Sequence, residues 1–166
     1  MTVIFENESD TDFGLPLKTL AEEVVAEALD YIGCPYEAQV NVLLTDDEEV
    51  HRLNLEYRQI DRSTDVLSFP MLEYELPGNF DFLEEAEESE CFDPDTGELV
   101  LGDIVLSAGK IQEQADAFGH GIKREYAFLI AHSMLHLMGF DHMTPEEASE
   151  MERLQEAVLE RLQISR

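Results

Sequence analysis

The sequence predicts an α+β fold: a single domain over residues 1–166 in which a small mixed four-stranded sheet is covered by about five helices. Three observations carry this reading. A chain of 166 residues that is 44% hydrophobic, without an internal repeat, is long enough for one real core and short for two. The first half alternates strand-like and helix-like apolar spacing. From Ser107 onward only helical patterns follow, so the order is strand, helix, strand, helix, two strands, then helices, for which one small mixed sheet covered by helices is the economical architecture.

The elements follow in order. Thr2 to Asn7 reads as a short strand. In LPLKTLAEEVVAEALDYIG the apolar positions Leu17, Leu20, Val24, Val25, Ala28 and Ile32 fall on one face of a helix that Gly33 and Pro35 end. Val40 to Leu44 is a strand. Thr45 with Glu48 three residues later forms a capping-box pattern, opening a helix through Val50, Leu53 and Asn54 to Tyr57. Asp65 to Pro70 is a strand closed by proline. Leu99 to Ser107 is another, and its internal glycine, Gly102, indicates a bulge or a close backbone approach. Helices are expected from Ser107 to about Phe118, from Ile122 to Met138, and after Thr144. In the last of these, Thr144, Pro145 and Glu147 supply the N-cap, N1 and N3, and Met151, Leu154, Val158, Leu159 and Leu162 face inward.

Between the two late strands, residues 73–98 read as an acidic insertion or loop. No Lys or Arg occurs from Ser63 to Gly109, while Glu84, Glu85, Glu87, Glu88 and Glu90 crowd together. Charges of one sign at that density cannot pack against one another, so an exposed excursion is expected.

Composition excludes some functions. No apolar run approaches the roughly 18 residues of a membrane helix. The first residues carry no Lys or Arg before Lys18 and no apolar run of the kind a secretion signal needs, so a cytoplasmic chain is expected, with Cys34 and Cys91 as free thiols. A net charge of −28, from 38 acidic against 10 basic residues, repels phosphate backbones at long range. Taken alone, this argues against nucleic acid, and a solvated acidic surface is the plain reading of most of the glutamates.

The stretch AHSMLHLMGFDH holds three of the five histidines. His132 and His136 are four apart in a helical segment, which sets their Cβ atoms roughly 6 Å apart on one face. A third ligand must arrive from another direction, and Gly139 provides a turn that returns the chain to His142. His132, His136 and His142 can thus hold one zinc ion through three nitrogens, leaving a fourth position for water, the arrangement of catalytic rather than structural zinc. A lone histidine on an apolar face is more often a satisfied core residue, but three with a glycine turn between them are not explained that way. H-x-x-x-H-x-x-G-x-x-H is also the metzincin peptidase spacing. There, however, a glutamate follows the first ligand as general base, and here Ser133 occupies that place. Asp141 is either a base or an acceptor that orients a ligand histidine, and the residues alone support both. Arg58 supports two readings equally: a planar cation for a phosphoryl anion, or a partner of Glu56 or Asp61 at a helix end.

The blocks YRQIDRSTDVLSFP, LGDIVLS and HSMLHLMGFDH, in this order, strongly resemble the YbeY family of bacterial rRNA-maturation endoribonucleases over about Val40 to Gln155. The resemblance implies a zinc-dependent, single-strand-specific endoribonuclease that matures the 3′ end of small-subunit 16S rRNA and serves ribosome quality control. Its implied partners are rRNA, ribosomal small-subunit proteins and assembly factors; with so few cations, RNA contact must come from a local patch around Arg58, Arg62, Lys123 and Arg124, or be delivered by the ribosome. It assigns the metal to His132, His136 and His142 and RNA handling or catalysis to Arg58, and it places Asp65 and Ser68 in the cleft wall. Many members have Gly where this chain has Ser133, and a further basic residue and a proline where it has Ile60 and Ser63. Two rivals remain: a ribosome-assembly adaptor with a structural zinc, and a metzincin-like peptidase.

Overall fold

The computed structural model of the protein describes residues 1–84 and 88–164. Its elements run β1 (Thr2–Asn7), α1 (Leu17–Ile32), β2 (Ala38–Thr45), α2 (Asp47–Arg58), β3 (Val66–Pro70), a one-turn α3 (Glu88–Cys91), β4 (Leu99–Ser107), α4 (Ala108–Phe118), α5 (Ile122–Leu137) and α6 (Pro145–Arg161). The sheet has four strands in the order β1-β2-β4-β3. β1, β2 and β4 are parallel and β3 is antiparallel to β4, so the sheet is mixed, as expected.

Strand alternation divides the apolar residues between two layers. Val40, Val42 and Leu44 of β2 join Ile104 and Leu106 of β4 in the large core with α1, α5 and α6. On the other face Leu43, Leu67, Phe69 and Val105 meet Val50 and Leu53 of α2. Each fully buried Leu, Ile or Val contributes about 2 kcal/mol. α5 supplies many of them, because it is wrapped by α1, α4, α6 and the β3–β4 half of the sheet. That central position makes α5 a rigid support.

Gly102 does what the sequence suggested in both respects. The β2–β4 register slips between Gln39 and Val40, opposite Val100 and Gly102, and a Cβ on Gly102 would meet the Phe69 carbonyl oxygen at 2.2 Å. The expected ends hold to within two residues elsewhere, and Thr144 caps α6 by accepting from the Glu147 N–H. The start of α2 differs. Its cap is Asp46, whose Oδ1 accepts from Glu49 N at 2.8 Å, because β2 continues through Thr45 and buries it. Leu162 is the C-cap of α6 and only half-buried.

The acidic segment is anchored rather than loose. Leu72, Phe80 and Leu83 are buried, and Tyr74, Phe82, Cys91 and Phe92 pack on the core. Glu73, Glu75, Glu84 and Glu90 do face solvent. Glu85 and Glu87 lie outside the described residues. Interspersed aromatic side chains supply the burial, and the carboxylates point outward to keep their hydration. Cys34 and Cys91 are unbridged. Among the described residues no helix is long and apolar enough to cross a membrane.

Candidate metal centre

The sequence from Ile122 to Leu137 makes a helix that is buried nearly all round, and it presents His132 and His136 one turn apart on a face left open. Their Nε2 atoms are 3.1 Å apart. Helix α5 ends at Leu137, where Gly139 N bonds His136 O at 3.1 Å and Phe140 N bonds Leu135 O at 2.9 Å. Gly139 has φ +96°, and a Cβ there would stand 2.6 Å from Cγ of Tyr74, so the turn demands glycine twice over. The turn returns His142 to the pair, with its ring centroid 5.5 Å from that of His132 and 5.1 Å from that of His136.

One donor atom from each of His132, His136 and His142 lies within 4.8 Å of the others. Three imidazole nitrogens at about 2 Å from a shared tetrahedral ion would be roughly 3.4 Å apart, so the donors fit a zinc-sized cation with small adjustments. The outer atoms fit as well. Nδ1 of His136 donates to the Phe140 carbonyl at 3.0 Å, which leaves its Nε2 lone pair facing the other two rings. Burial, then the neighbouring His132 and His142, pushes the His136 imidazole down to about 4. Burial also lowers His132, partly offset by the side chain of Gln155 on α6. Both rings favour the neutral form that can ligate a metal.

This cluster forms one wall of a cleft of about 650 Å³. A further wall, from the end of α2, the connection after it and β3, brings Arg58, Arg62, Asp65 and Ser68 to the same space. Arg58 pairs with neither of the carboxylates the sequence offered: Glu56 is taken by Arg52 and Asp61 by His51. Among the described residues Arg52, Lys110, Arg124, Arg153 and Arg161 all have carboxylate partners, whereas Arg58 and Arg62 have none. Cations left unpaired amid 38 carboxylates are available to an external anion.

Three further expectations can be placed. Asp141 lines the cleft and accepts the backbone N–H of His142 through Oδ1 at 2.8 Å, a contact made to the main chain and not to the ring. Ser133 is fully buried and its Oγ lies 2.6 Å from Ser68 Oγ, joining α5 to β3. It has no role as a peptidase base. Arg124 does not belong to an RNA patch: it is only 4% exposed, with Nη2 on Glu156 at 2.6 Å and Nη1 on Ile164 O at 3.2 Å. Its place in the first turn of α5, against α6 and Ile164, explains why. Lys123 is exposed but does not line the cleft.

Some supporting residues carried no sequence signal. Tyr74 donates through its hydroxyl to Leu137 O at 2.9 Å, and Gly78 N donates to Met138 O at 2.9 Å, so the acidic segment satisfies the terminal carbonyls of the metal-site helix. Gln155 and Asn54 are buried polar residues whose helical spacing reads as ordinary.

Fold and cleft together define a class: an α+β protein with an open three-histidine group able to hold a metal ion, in a cleft also lined by two arginines that have no carboxylate partner among the described residues. The Endoribonuclease YbeY family model matches residues 4–163, and the chain belongs to that family. It is 52% identical over 166 residues to Endoribonuclease YbeY of Lachnoclostridium phytofermentans, covering all of both chains. It is 54% identical over 169 residues to that of Lachnospira eligens and 53% over 166 residues to that of Agathobacter rectalis, again covering both chains completely. The solution structure of TM1509 from Thermotoga maritima shares the fold, with a TM-score of 0.56 at 24% identity over 98% of this chain and 92% of the other.

Proposed function

We propose that the protein is a zinc-dependent endoribonuclease that cuts single-stranded RNA in maturing the 3′ end of small-subunit 16S rRNA and in ribosome quality control. The observation that carries the reading is the meeting, in one cleft, of three histidines and two arginines that have no carboxylate partner among the described residues. The relatives that match the whole chain are named as endoribonucleases.

His132, His136 and His142 would hold the ion, which when bound supplies Lewis-acid polarisation of a phosphate oxygen and acidifies water. Arg58 binds the scissile phosphate and stabilises its growing negative charge. The Phe140 carbonyl holds His136 in the ligating tautomer, and Asp141 fixes His142 while keeping a second oxygen at the cleft to receive a proton. The hydrogen bond between Ser68 and Ser133 keeps the arginine wall at a constant distance from α5.

With a net charge of −28, the surface supports weak binding of free RNA. Basic small-subunit proteins or assembly factors would bring RNA and enzyme together in the cytoplasm. Nanomolar affinity for a free oligonucleotide with a steep salt dependence would contradict this.

The test is cleavage of single-stranded RNA by one preparation of wild type, His136→Ala and Arg58→Ala, with zinc content measured on each. Loss of cleavage in both variants, with zinc lost only from His136→Ala, is expected. Zinc-loaded wild type that cuts no RNA above background would put the adaptor reading ahead, and cleavage of a denatured protein substrate instead would favour the peptidase.

A further inference from the structure

Asn54 is 1% exposed, although it sits on α2 next to solvent-facing Leu55 and Glu56. All its outward-reaching polar atoms serve one short turn. Its backbone carbonyl accepts from Ile60 N at 3.2 Å. Its side-chain Nδ2 donates to Arg62 O at 2.9 Å, and its Oδ1 faces Arg58 Nη1 at 3.4 Å. The turn it serves contains Gln59 at φ 58°, a left-handed conformation that costs a non-glycine residue about 1 kcal/mol and needs external support. Arg58 and Arg62, which flank this turn, both line the cleft, as does Ile60 between them.

We propose that Asn54 is a positioning residue that registers Arg58 and Arg62 as a single two-pronged anion clamp facing the three histidines. Resting on the reading of the cleft as a phosphate site, it adds that the arginines act as a unit and that one buried amide sets their separation. A carboxamide suits the task because it donates to a carbonyl and accepts from a cation at once. Aspartate would keep the acceptor, lose the donor and draw Arg58 into an ion pair. The predicted loss is therefore in anion affinity and not in metal content.

The experiment measures binding of inorganic pyrophosphate to the metal-free protein, and kcat and KM on a short single-stranded oligoribonucleotide with zinc restored. Wild type, Asn54→Asp, Asn54→Ala, Arg58→Ala with Arg62→Ala, and the triple variant are compared. Asn54→Asp is nearly isosteric and keeps the proposal testable where Asn54→Ala does not fold. Removal of one hydrogen-bonding group and its positioning is expected to weaken pyrophosphate about tenfold and to raise KM about as much, with zinc content unchanged. In the background lacking both arginines, the Asn54 change is expected to have no further effect, which a merely structural role would not produce. Equal pyrophosphate binding in wild type and folded Asn54→Asp, or a loss that simply adds to that of the arginines, overturns the role of Asn54 and leaves the cleft reading intact. Wild type and the double arginine variant that bind pyrophosphate and cut RNA alike would overturn the phosphate-site reading and the clamp together.

Discussion

The two ends of α5 hold partly buried imidazoles in opposite ways. Before its first turn, His120 has its Nε2 2.6 Å from Oε2 of Glu125, with the two side chains 11% and 3% exposed. Near its last turn, His132 and His136 bring their Nε2 atoms to 3.1 Å of each other with no carboxylate between them, and His142 closes the group. An imidazole N–H that meets a carboxylate is satisfied within the protein. Three imidazoles whose ring nitrogens converge, with no carboxylate among them, are a group that could hold a metal ion. His120 is thus satisfied by its carboxylate while the other three are placed to ligate, a difference fixed by what faces each ring and not by burial.

The largest effect expected of any change is on metal content. His136→Ala should reduce zinc affinity by more than about a hundredfold, whereas His120→Ala should leave one zinc per chain. Equal zinc loss in both variants, measured by atomic absorption after dialysis, would erase the distinction. Gly139→Ala comes next. The left-handed backbone and the contact with Tyr74 should cost about 1–3 kcal/mol and also lower zinc affinity, because the same turn delivers His142. Urea unfolding read alongside a zinc titration would show whether both fall. His120→Ala leaves the Glu125 carboxylate buried and alone, so it should destabilise by about 1–3 kcal/mol at unchanged metal content. A calorimetric midpoint equal to that of wild type would mean the pair contributes nothing.

A last effect, confined to the histidine cluster, is read by pH. In the metal-free chain His136 is held at about 4 against an ordinary 6.5, so the unfolded chain takes up a proton that the folded chain refuses. The neutral ring's contribution is complete above pH 6.5 and is lost as pH falls from there toward 4. Urea midpoints of chelator-treated wild type should therefore drop across that window, and a His136→Ala variant should drop less. Parallel curves would show that the ring is not desolvated as described.

Much of this was legible in the sequence because it depends on local spacing. The His132–His136 pair follows from the helical repeat, the return to His142 from a glycine that ends a helix, and the strands from short apolar runs set between turn residues. What escaped depends on contacts distant along the chain. Tyr74 and Gly139 are 65 positions apart, and nothing in either neighbourhood indicates that they touch. The charge density of the acidic segment concealed the aromatic residues that anchor it. Arg124 looked like surface because arginine usually is, yet Glu156 and the Ile164 carbonyl, each more than thirty residues away, enclose it. Thr45 failed as a cap for a local reason: the strand runs one residue further and Asp46 follows with an equally good oxygen.

The most direct measurement follows thermal unfolding and single-stranded RNA cleavage on one sample, before chelation, after it, and after zinc is returned. The large apolar core already holds α5, the helix that carries two of the three histidines, so it should survive without the ion. Cleavage that vanishes on chelation and returns with zinc, while the cooperative transition persists throughout, is the predicted result. A chain that loses its transition when the metal is removed would show the ion to be structural and contradict the account.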